Sequence, residues 1–207
     1  MITSFILAPT DGKSIMDYKS GQYIGVHVDP TMSDNKEIRQ YSLSDSPNGK
    51  TYRISVKRET LPIAGIVSNY LHNDVEIGGY IYLIPPAGDF FLDVKETNPV
   101  VLLSGGVGLT PMVSMFNQLV KNNHQGSIHY LHACLDGKHH AFSSHVKQLA
   151  ELHNNATVTT WYQTPEKADK LGCDYDHAGS KQSRRIYFTT RNTLLFLWSS
   201  SFYASGK

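Results

Sequence analysis

Ser104-Gly-Gly-Val-Gly-Leu-Thr-Pro-Met112 decides how the chain is to be read. Before it stands the apolar run Pro99-Val-Val-Leu-Leu103, and after it Val113-Ser-Met-Phe-Asn-Gln-Leu-Val120, whose apolar residues recur at helical spacing. The pattern is strand, glycine turn, helix. Such a turn lets a backbone approach a pyrophosphate closely and aims a helix N-terminus at its charge. Alone the signal is ambiguous, because glycine between strand and helix also makes plain tight turns. No Gly-Lys-[Ser/Thr] closes this loop, so it is not the phosphate loop of an ATPase.

About sixty residues earlier stands Arg39-Gln-Tyr-Ser42. At the end of a strand, this spacing brings Arg39, Tyr41 and Ser42 within reach of one ligand. Arginine offers a bidentate fork for phosphate, tyrosine a flat ring for stacking, and serine a hydroxyl for a ring heteroatom. By itself Arg-x-Tyr-Ser also fits a half-buried strand with a surface arginine. The two motifs together, in this order, match a flavin domain followed by a nicotinamide-nucleotide domain.

The chain resembles the reductase part of the flavohaemoglobins, within the ferredoxin–NADP reductase superfamily. The residues that carry the resemblance are Gly21-Gln-Tyr-Ile-Gly25, Glu37-Ile-Arg-Gln-Tyr-Ser-Leu43, Tyr52-Arg-Ile-Ser-Val-Lys-Arg-Glu59 and Val67-Ser-Asn-Tyr-Leu-His72. They continue through Pro86-Ala-Gly-Asp-Phe-Phe91, the glycine run and His140-Ala-Phe142. The likeness is nearly continuous from Thr3 to about Gly172.

The resemblance implies FAD and NAD(P)H as cofactors, and hydride transfer followed by single-electron transfer to an acceptor. It assigns Tyr23 and Tyr41 to flavin stacking, Arg39 with Gln40 to flavin binding at the pyrophosphate side, and Ser42 to the flavin's reactive edge. Tyr41 and Ser42 are thus the expected catalytic residues. Val67 and Ser68, at the start of a short helix, are expected to hold the second phosphate, although Ser68 also suits a plain helix cap. The stretch Thr60-Leu-Pro-Ile-Ala-Gly65 before them is longer than relatives carry. Gly105, Gly106, Val107, Gly108, Leu109 and Thr110 are expected to cradle the nicotinamide nucleotide, with Thr110 near its carboxamide. Complete relatives pass the electrons to a haem in a globin domain that converts nitric oxide and oxygen to nitrate. That globin domain does not occur in these 207 residues, so a haem-globin partner is the implied acceptor.

Composition sets the outer bounds. The chain is 40 % apolar and 18 % charged, which is the make-up of a globular protein with room for two small domains. A net charge of +1 gives no basis for nucleic-acid or membrane binding. No apolar run approaches the roughly twenty residues of a membrane span, and Met1-Ile-Thr-Ser-Phe5 has no leader-peptide pattern. Two cysteines, Cys134 and Cys173, argue against a disulfide framework and fit a reducing cytoplasm. Seven of the ten histidines fall between His124 and His153, which raises the alternative of a metal-binding module. His129 and His132 face opposite ways in a strand and no His-Glu-x-x-His or finger spacing occurs, so no metal ligands are assigned.

Along the chain, short strands are expected at Ile2–Leu7, Tyr23–Val28, Gln40–Leu43, Tyr52–Val56 and Tyr80–Ile84, with turns at Asp11-Gly12, Asp29-Pro30, Pro47-Asn-Gly49 and Gly78-Gly79. With one short helix at Val67–His72 they predict an antiparallel FAD-binding barrel over residues 1–95. Strand and helix then alternate: Val100–Leu103, a helix to about Lys121, Ser127–Ala133, a helix over Phe142–Leu152, and Val158–Tyr162. This predicts a parallel-sheet NAD(P)-binding α/β domain over 98–179, joined through Lys95–Asn98.

The ends depart from the family pattern. Related reductase domains begin a few residues before Met1, which predicts a shortened first strand. From Ser180 to Lys207 there are five basic residues and no acidic one, whereas the preceding 179 carry a net charge of −4. The resemblance places a Cys-Gly-Pro turn and a last, aromatic-ended strand there, and neither string is present. The nucleotide domain is therefore expected to be incomplete, and 180–207 is read as an atypical basic tail from a frameshift or truncated gene model. On that reading the alternative function is a non-catalytic remnant with residual FAD binding. The coding DNA tests the tail: the missing segment in another frame supports a frameshift, and an uninterrupted frame without it rejects one.

Overall fold

The computed structural model describes residues 2–28, 37–92, 97–171 and, as backbone, 193–198. The Asp29-Pro30 turn, the first half of the Lys95–Asn98 linker, Cys173 and the basic residues of the tail lie outside the described residues. Two compact units emerge, Met1–Phe91 and Leu92–Lys207.

In the first unit, alternating burial makes five strands: β1 (Ile2–Leu7), β2 (Tyr23–Val28), β3 (Glu37–Ser42), β4 (Tyr52–Lys57) and β5 (Tyr82–Ala87). All pairings are antiparallel. β1 pairs with β4, while β3, β2 and β5 form a second sheet in that order. A bridge from Leu43 to Ile54 links the end of β3 to β4. The inward residues Ile24, Val26, Val28, Leu43, Ile54 and Val56 are buried, and helix α1 (Ile66–Asn73) closes the core with Val67 and Leu71.

The prediction at β5 was displaced: the strand runs Tyr82–Ala87 and includes Pro85 and Pro86. Proline removes a ladder donor, but β5 is an edge strand of its sheet, where that is tolerated. β3 likewise begins at Glu37, earlier than the apolar pattern alone indicated.

The second unit alternates β6 (Val100–Gly105), α2 (Leu109–Lys121), β7 (Ile128–Cys134), α3 (Ser143–Leu152) and β8 (Ala156–Tyr162). Its strands are parallel, and β6 and β7 carry near-continuous apolar runs, as strands covered on both faces must. α2 buries ten of its thirteen residues, and Phe116 stacks on Tyr130 at 5.5 Å between ring centroids. A fourth strand, β9 (Thr193–Trp198), runs parallel to β6 on the side away from β7. This departs from the reading of the tail, which left the sheet without a last strand. The apolar run Leu194–Trp198, five residues, is too short to distinguish a buried strand from other apolar segments by period.

Among the described residues, no helix is long and apolar enough to cross a membrane, and no group of three or more His, Cys, Asp or Glu is arranged to hold a metal ion.

Candidate nucleotide sites

In the first unit, the sequence strings Gly21–Gly25 and Pro86–Phe91 prove to be one local structure. Tyr23 stands opposite Ala87, and the Gln22 side-chain amide donates to the Gly88 carbonyl at 3.0 Å. Gly88 has φ +106, and a Cβ there would lie 2.7 Å from Cε1 of Tyr23. Only glycine admits both that backbone and the Tyr23 ring against it. Gln22 was not singled out as functional, although it lies inside the quoted string.

The register of β2 and β3 sorts the expected flavin residues onto two faces. Tyr41 stands opposite Ile24 and Arg39 opposite Val26, so both share the core-facing side of the sheet. Ser42 stands opposite Tyr23 and Gln40 opposite Gly25, on the other side. The expected trio of Arg39, Tyr41 and Ser42 therefore brackets the end of β3 and does not line a single face.

Tyr41 packs on the core and is half-buried. Burial pushes its phenol to about 12, while Arg39 pulls it down and Glu59 pushes it up. Arg39 and Glu59 thus lie within electrostatic reach of the same ring. The Arg39 guanidinium is largely exposed, donating to the Ile38 carbonyl at 2.8 Å and pairing with Glu37 at 3.0 Å. Both partners are local, which leaves other donors of the fork for a ligand.

The segment from Glu59 to Gly65 closes on itself through the Gly65 N–H to the Glu59 carbonyl at 2.9 Å. Ser68 Oγ accepts from the Glu59 N–H and donates to the Gly65 carbonyl, both at 3.3 Å, and Asn69 donates to the same two carbonyls at 2.8 Å. Ser68 is thus occupied in holding the loop, and Val67 is core at 1 % exposure. What α1 offers an anion is backbone: its Gly65 cap supplies no side-chain bond, and no acidic residue stands in its first turn.

In the second unit, Gly105 ends β6, Gly106–Gly108 make one tight helical turn, and α2 starts at Leu109. Gly106 has φ +53. The α2 cap, Gly108, makes no side-chain bond and no acidic residue occupies the first turn, so the backbone N–H groups there are not claimed by a cap. Val107 is half-exposed, while Leu109 is core. Thr110 is nearly buried and donates to the Val107 carbonyl at 3.3 Å, which fastens the turn. Pro111 falls in the first turn of α2, where its missing N–H breaks no helical bond.

The loop after β7 is similarly tied. Asp136 accepts from the His139 N–H at 3.0 Å and from its Nδ1 at 2.7 Å. The Gly137 N–H donates to Asp169 at 3.2 Å, and Lys138 pairs with Glu166 at 2.7 Å.

Both sites fit nucleotides. One presents an arginine fork, aromatic rings and hydroxyls around a strand end; the other presents a left-handed glycine and a helix start with no side-chain cap.

Comparison with known proteins gives the same division. Residues 2–92 match the oxidoreductase FAD-binding domain model, and residues 102–177 match the oxidoreductase NAD-binding domain model. A flavohemoprotein of Vibrio cholerae serotype O1 is 47 % identical over 172 residues, which is 82 % of this chain and 43 % of the relative. The chain thus spans less than half the length of that relative. The crystal structure of the flavohem-like FAD/NAD-binding domain of nitric oxide dioxygenase from Vibrio cholerae O1 biovar El Tor superposes with a TM-score of 0.82 at 42 % identity, covering 93 % of this chain and 79 % of that one. A flavohemoglobin from Malassezia yamatoensis, solved with bound FAD and heme, shares the fold at a TM-score of 0.75 and 17 % identity, covering 93 % of this chain and 48 % of that one.

Proposed function

The chain belongs to the flavohaemoprotein family as its FAD- and NAD-binding oxidoreductase part, and from that membership we propose that it oxidises NAD(P)H and delivers the electrons to a haem for nitric oxide dioxygenation. The observation that carries the reading is the pairing of two unlike nucleotide sites in one chain, each within a matched cofactor-binding domain.

Bound FAD would supply acceptance of a hydride from the reduced nicotinamide and release of electrons one at a time. The residues of this chain bind and orient. Arg39 neutralises flavin phosphate charge through its other donors, and Gln40 adds an amide on the opposite face of β3. Tyr41 and Tyr23 supply flat apolar surface. Tyr41 remains protonated across the working pH range because burial disfavours its phenolate, so it brings no negative charge to the flavin. Ser42 offers a hydroxyl to the flavin's reactive edge. Val67 and Ser68 contribute to phosphate binding by backbone position at the start of α1.

In the second unit, Gly105, Gly106, Val107 and Gly108 let the nicotinamide nucleotide approach the main chain. Leu109 anchors α2 in the core, and Thr110 keeps the turn in shape. The acceptor would be the haem of a globin, as in the flavohemoglobin that carries both FAD and heme.

The test is the visible spectrum of the purified chain with added FAD, followed by anaerobic NADH. A bound-flavin spectrum that bleaches is expected. Bound flavin without bleaching reduces the chain to a flavin binder, and absence of bound flavin overturns the proposal. Adding a ferric globin together with oxygen and nitric oxide then tests the final acceptor through nitrate formation.

A further inference from the structure

Four buried polar side chains lie beside the glycine turn, and the chemistry above uses none of them. Ser104, the residue before Gly105, is fully buried, and its Oγ lies 2.9 Å from Nδ1 of His132. The two stand directly opposite each other on β6 and β7. His132 is fully buried as well, and its Nε2 has no hydrogen-bond partner among the described residues. Its ring lies 5.0 Å from that of His140, tilted by 35°. His140 in turn bonds through Nδ1 to the Tyr162 hydroxyl at 2.9 Å.

This group joins the C-terminal ends of three parallel strands, β6, β7 and β8, to the loop that follows β7. Burying polar groups in a core of Val, Leu and Tyr is unfavourable against an apolar filling of the same volume. What hydrogen bonds add is direction: they fix how strand ends are rotated, which dispersion contacts do not. Two segments leave from these ends. Ser104 leads straight into the left-handed Gly106, and His140 closes the loop begun by Asp136. In open α/β sheets, ligands bind outside the carboxyl ends of the strands.

We propose that Ser104, His132, His140 and Tyr162 form a positioning network that holds the glycine turn and the Asp136–His140 loop in the arrangement a nicotinamide nucleotide needs. The inference rests on the reading of the second unit as a nicotinamide-nucleotide binder. Burial holds His132 down to about 3 and His140 down to about 4, so both rings are neutral when the protein works. Backbone N–H groups, and not imidazolium charge, then supply the positive potential at the turn.

The experiment titrates NAD+ and NADH into the full chain by calorimetry, with FAD affinity and the thermal midpoint measured alongside. Ser104→Ala is expected to weaken NADH binding about five- to tenfold, the size of one buried hydrogen bond, with FAD affinity unchanged. His132→Leu should do at least as much, and His132→Asn, which retains a hydrogen-bonding group near the Nδ1 position, should recover most of the loss. Ser104→Ala added to His132→Leu should cost less than the two single losses summed, because both remove the Ser104–His132 bond, while Ser104→Ala also removes the long bond to the Leu131 carbonyl at 3.5 Å. In steady state the loss should fall on KM for NADH and not on kcat. A folded Ser104→Ala variant with unchanged NADH affinity overturns the proposal, as does a His132→Asn variant as weak as His132→Leu. If His132→Leu does not fold, Ser104→Ala decides. A parent chain that takes up FAD but no NADH overturns this inference together with the nicotinamide reading, leaving the flavin reading standing.

Discussion

Under the proposed function, the first unit would meet its nucleotide with side chains and the second with backbone. Arg39, Tyr41, Ser42 and Tyr23 project from strand ends held by an antiparallel core, and their chemistry is in their functional groups. The glycine turn has almost no side chains to offer and would work through φ, the start of α2 and close approach. The difference teaches where each half is vulnerable. Truncating a side chain should damage the first site in proportion to one contact. Adding a side chain should damage the second far more, because a Cβ alters the path of the chain and fills the space the ligand needs.

The sharpest test of that contrast is Gly106→Val. At φ +53 a branched residue is strained by about 1–2 kcal/mol, and its side chain also occupies the approach to the main chain. NADH binding should fall by about 100-fold or more, the two effects acting together. FAD affinity of the same variant, measured by flavin fluorescence quenching, should be unchanged. Near-normal NADH affinity would show that the turn is structural only.

Arg39→Ala is the counterpart in the first unit. Loss of a charge-assisted bond costs about 1.5–3 kcal/mol, so the FAD dissociation constant should rise about ten- to a hundredfold. Arg39→Lys should recover only part of it, because an ammonium lacks the planar fork. NADH affinity serves as the internal control. Equal losses in Lys and Ala variants would support fork recognition; full recovery by Lys would reduce Arg39 to a point charge.

The two units should also differ in acid. His132 and His140 are held neutral by burial, with folded values of about 3 and about 4 against 6.5 for free histidine. Below pH 6.5 the unfolded chain takes up protons that the folded unit refuses. The stability contributed is therefore fully present above pH 6.5 and is lost as pH falls toward the folded values. A urea midpoint for the second unit should drop between pH 6.5 and 5, and His140→Gln should flatten that drop. A pH-independent midpoint over this window would show that both rings titrate in the folded unit as they do in the unfolded chain.

Legibility in the sequence followed the same divide. The strand–turn–helix of residues 100–121 was readable because glycines mark the turn and apolar spacing marks the helix. Most first-unit strands were readable from alternation, but β5 was misplaced because Pro85 and Pro86 disguise an edge strand. Arg39 and Tyr41 sharing a face followed from strand period; that Ser42 faces the other way with Tyr23 needed the same period applied strictly. The pairing of His132 with Ser104 was not legible, since it depends on the register between two parallel strands. The strand period already set His129 and His132 on opposite faces, but only the structure shows that His132 is the buried one, while His129 bonds Thr157 at 2.8 Å. For β9, five apolar residues in an otherwise unfamiliar tail gave no period to identify.

Ser68 is where the contrast between side-chain and backbone sites can be drawn most finely. It lies in the side-chain unit, yet its hydroxyl is already engaged with the Glu59 N–H and the Gly65 carbonyl. Both bonds are long, at 3.3 Å, so they are weak members of the loop's clasp, which Asn69 also holds at 2.8 Å. If α1 meets the flavin phosphate through backbone N–H groups, Ser68→Ala should raise the FAD dissociation constant by only about two- to threefold, less than a full hydrogen bond's worth. Asn69→Ala should then cost more, because it frees the loop that sets the helix start, even though the Asn69 side chain is spent inside the protein. The reverse ranking would mean that Ser68 leaves its internal partners to bind phosphate directly, and would place α1 with Arg39 among the side-chain contacts.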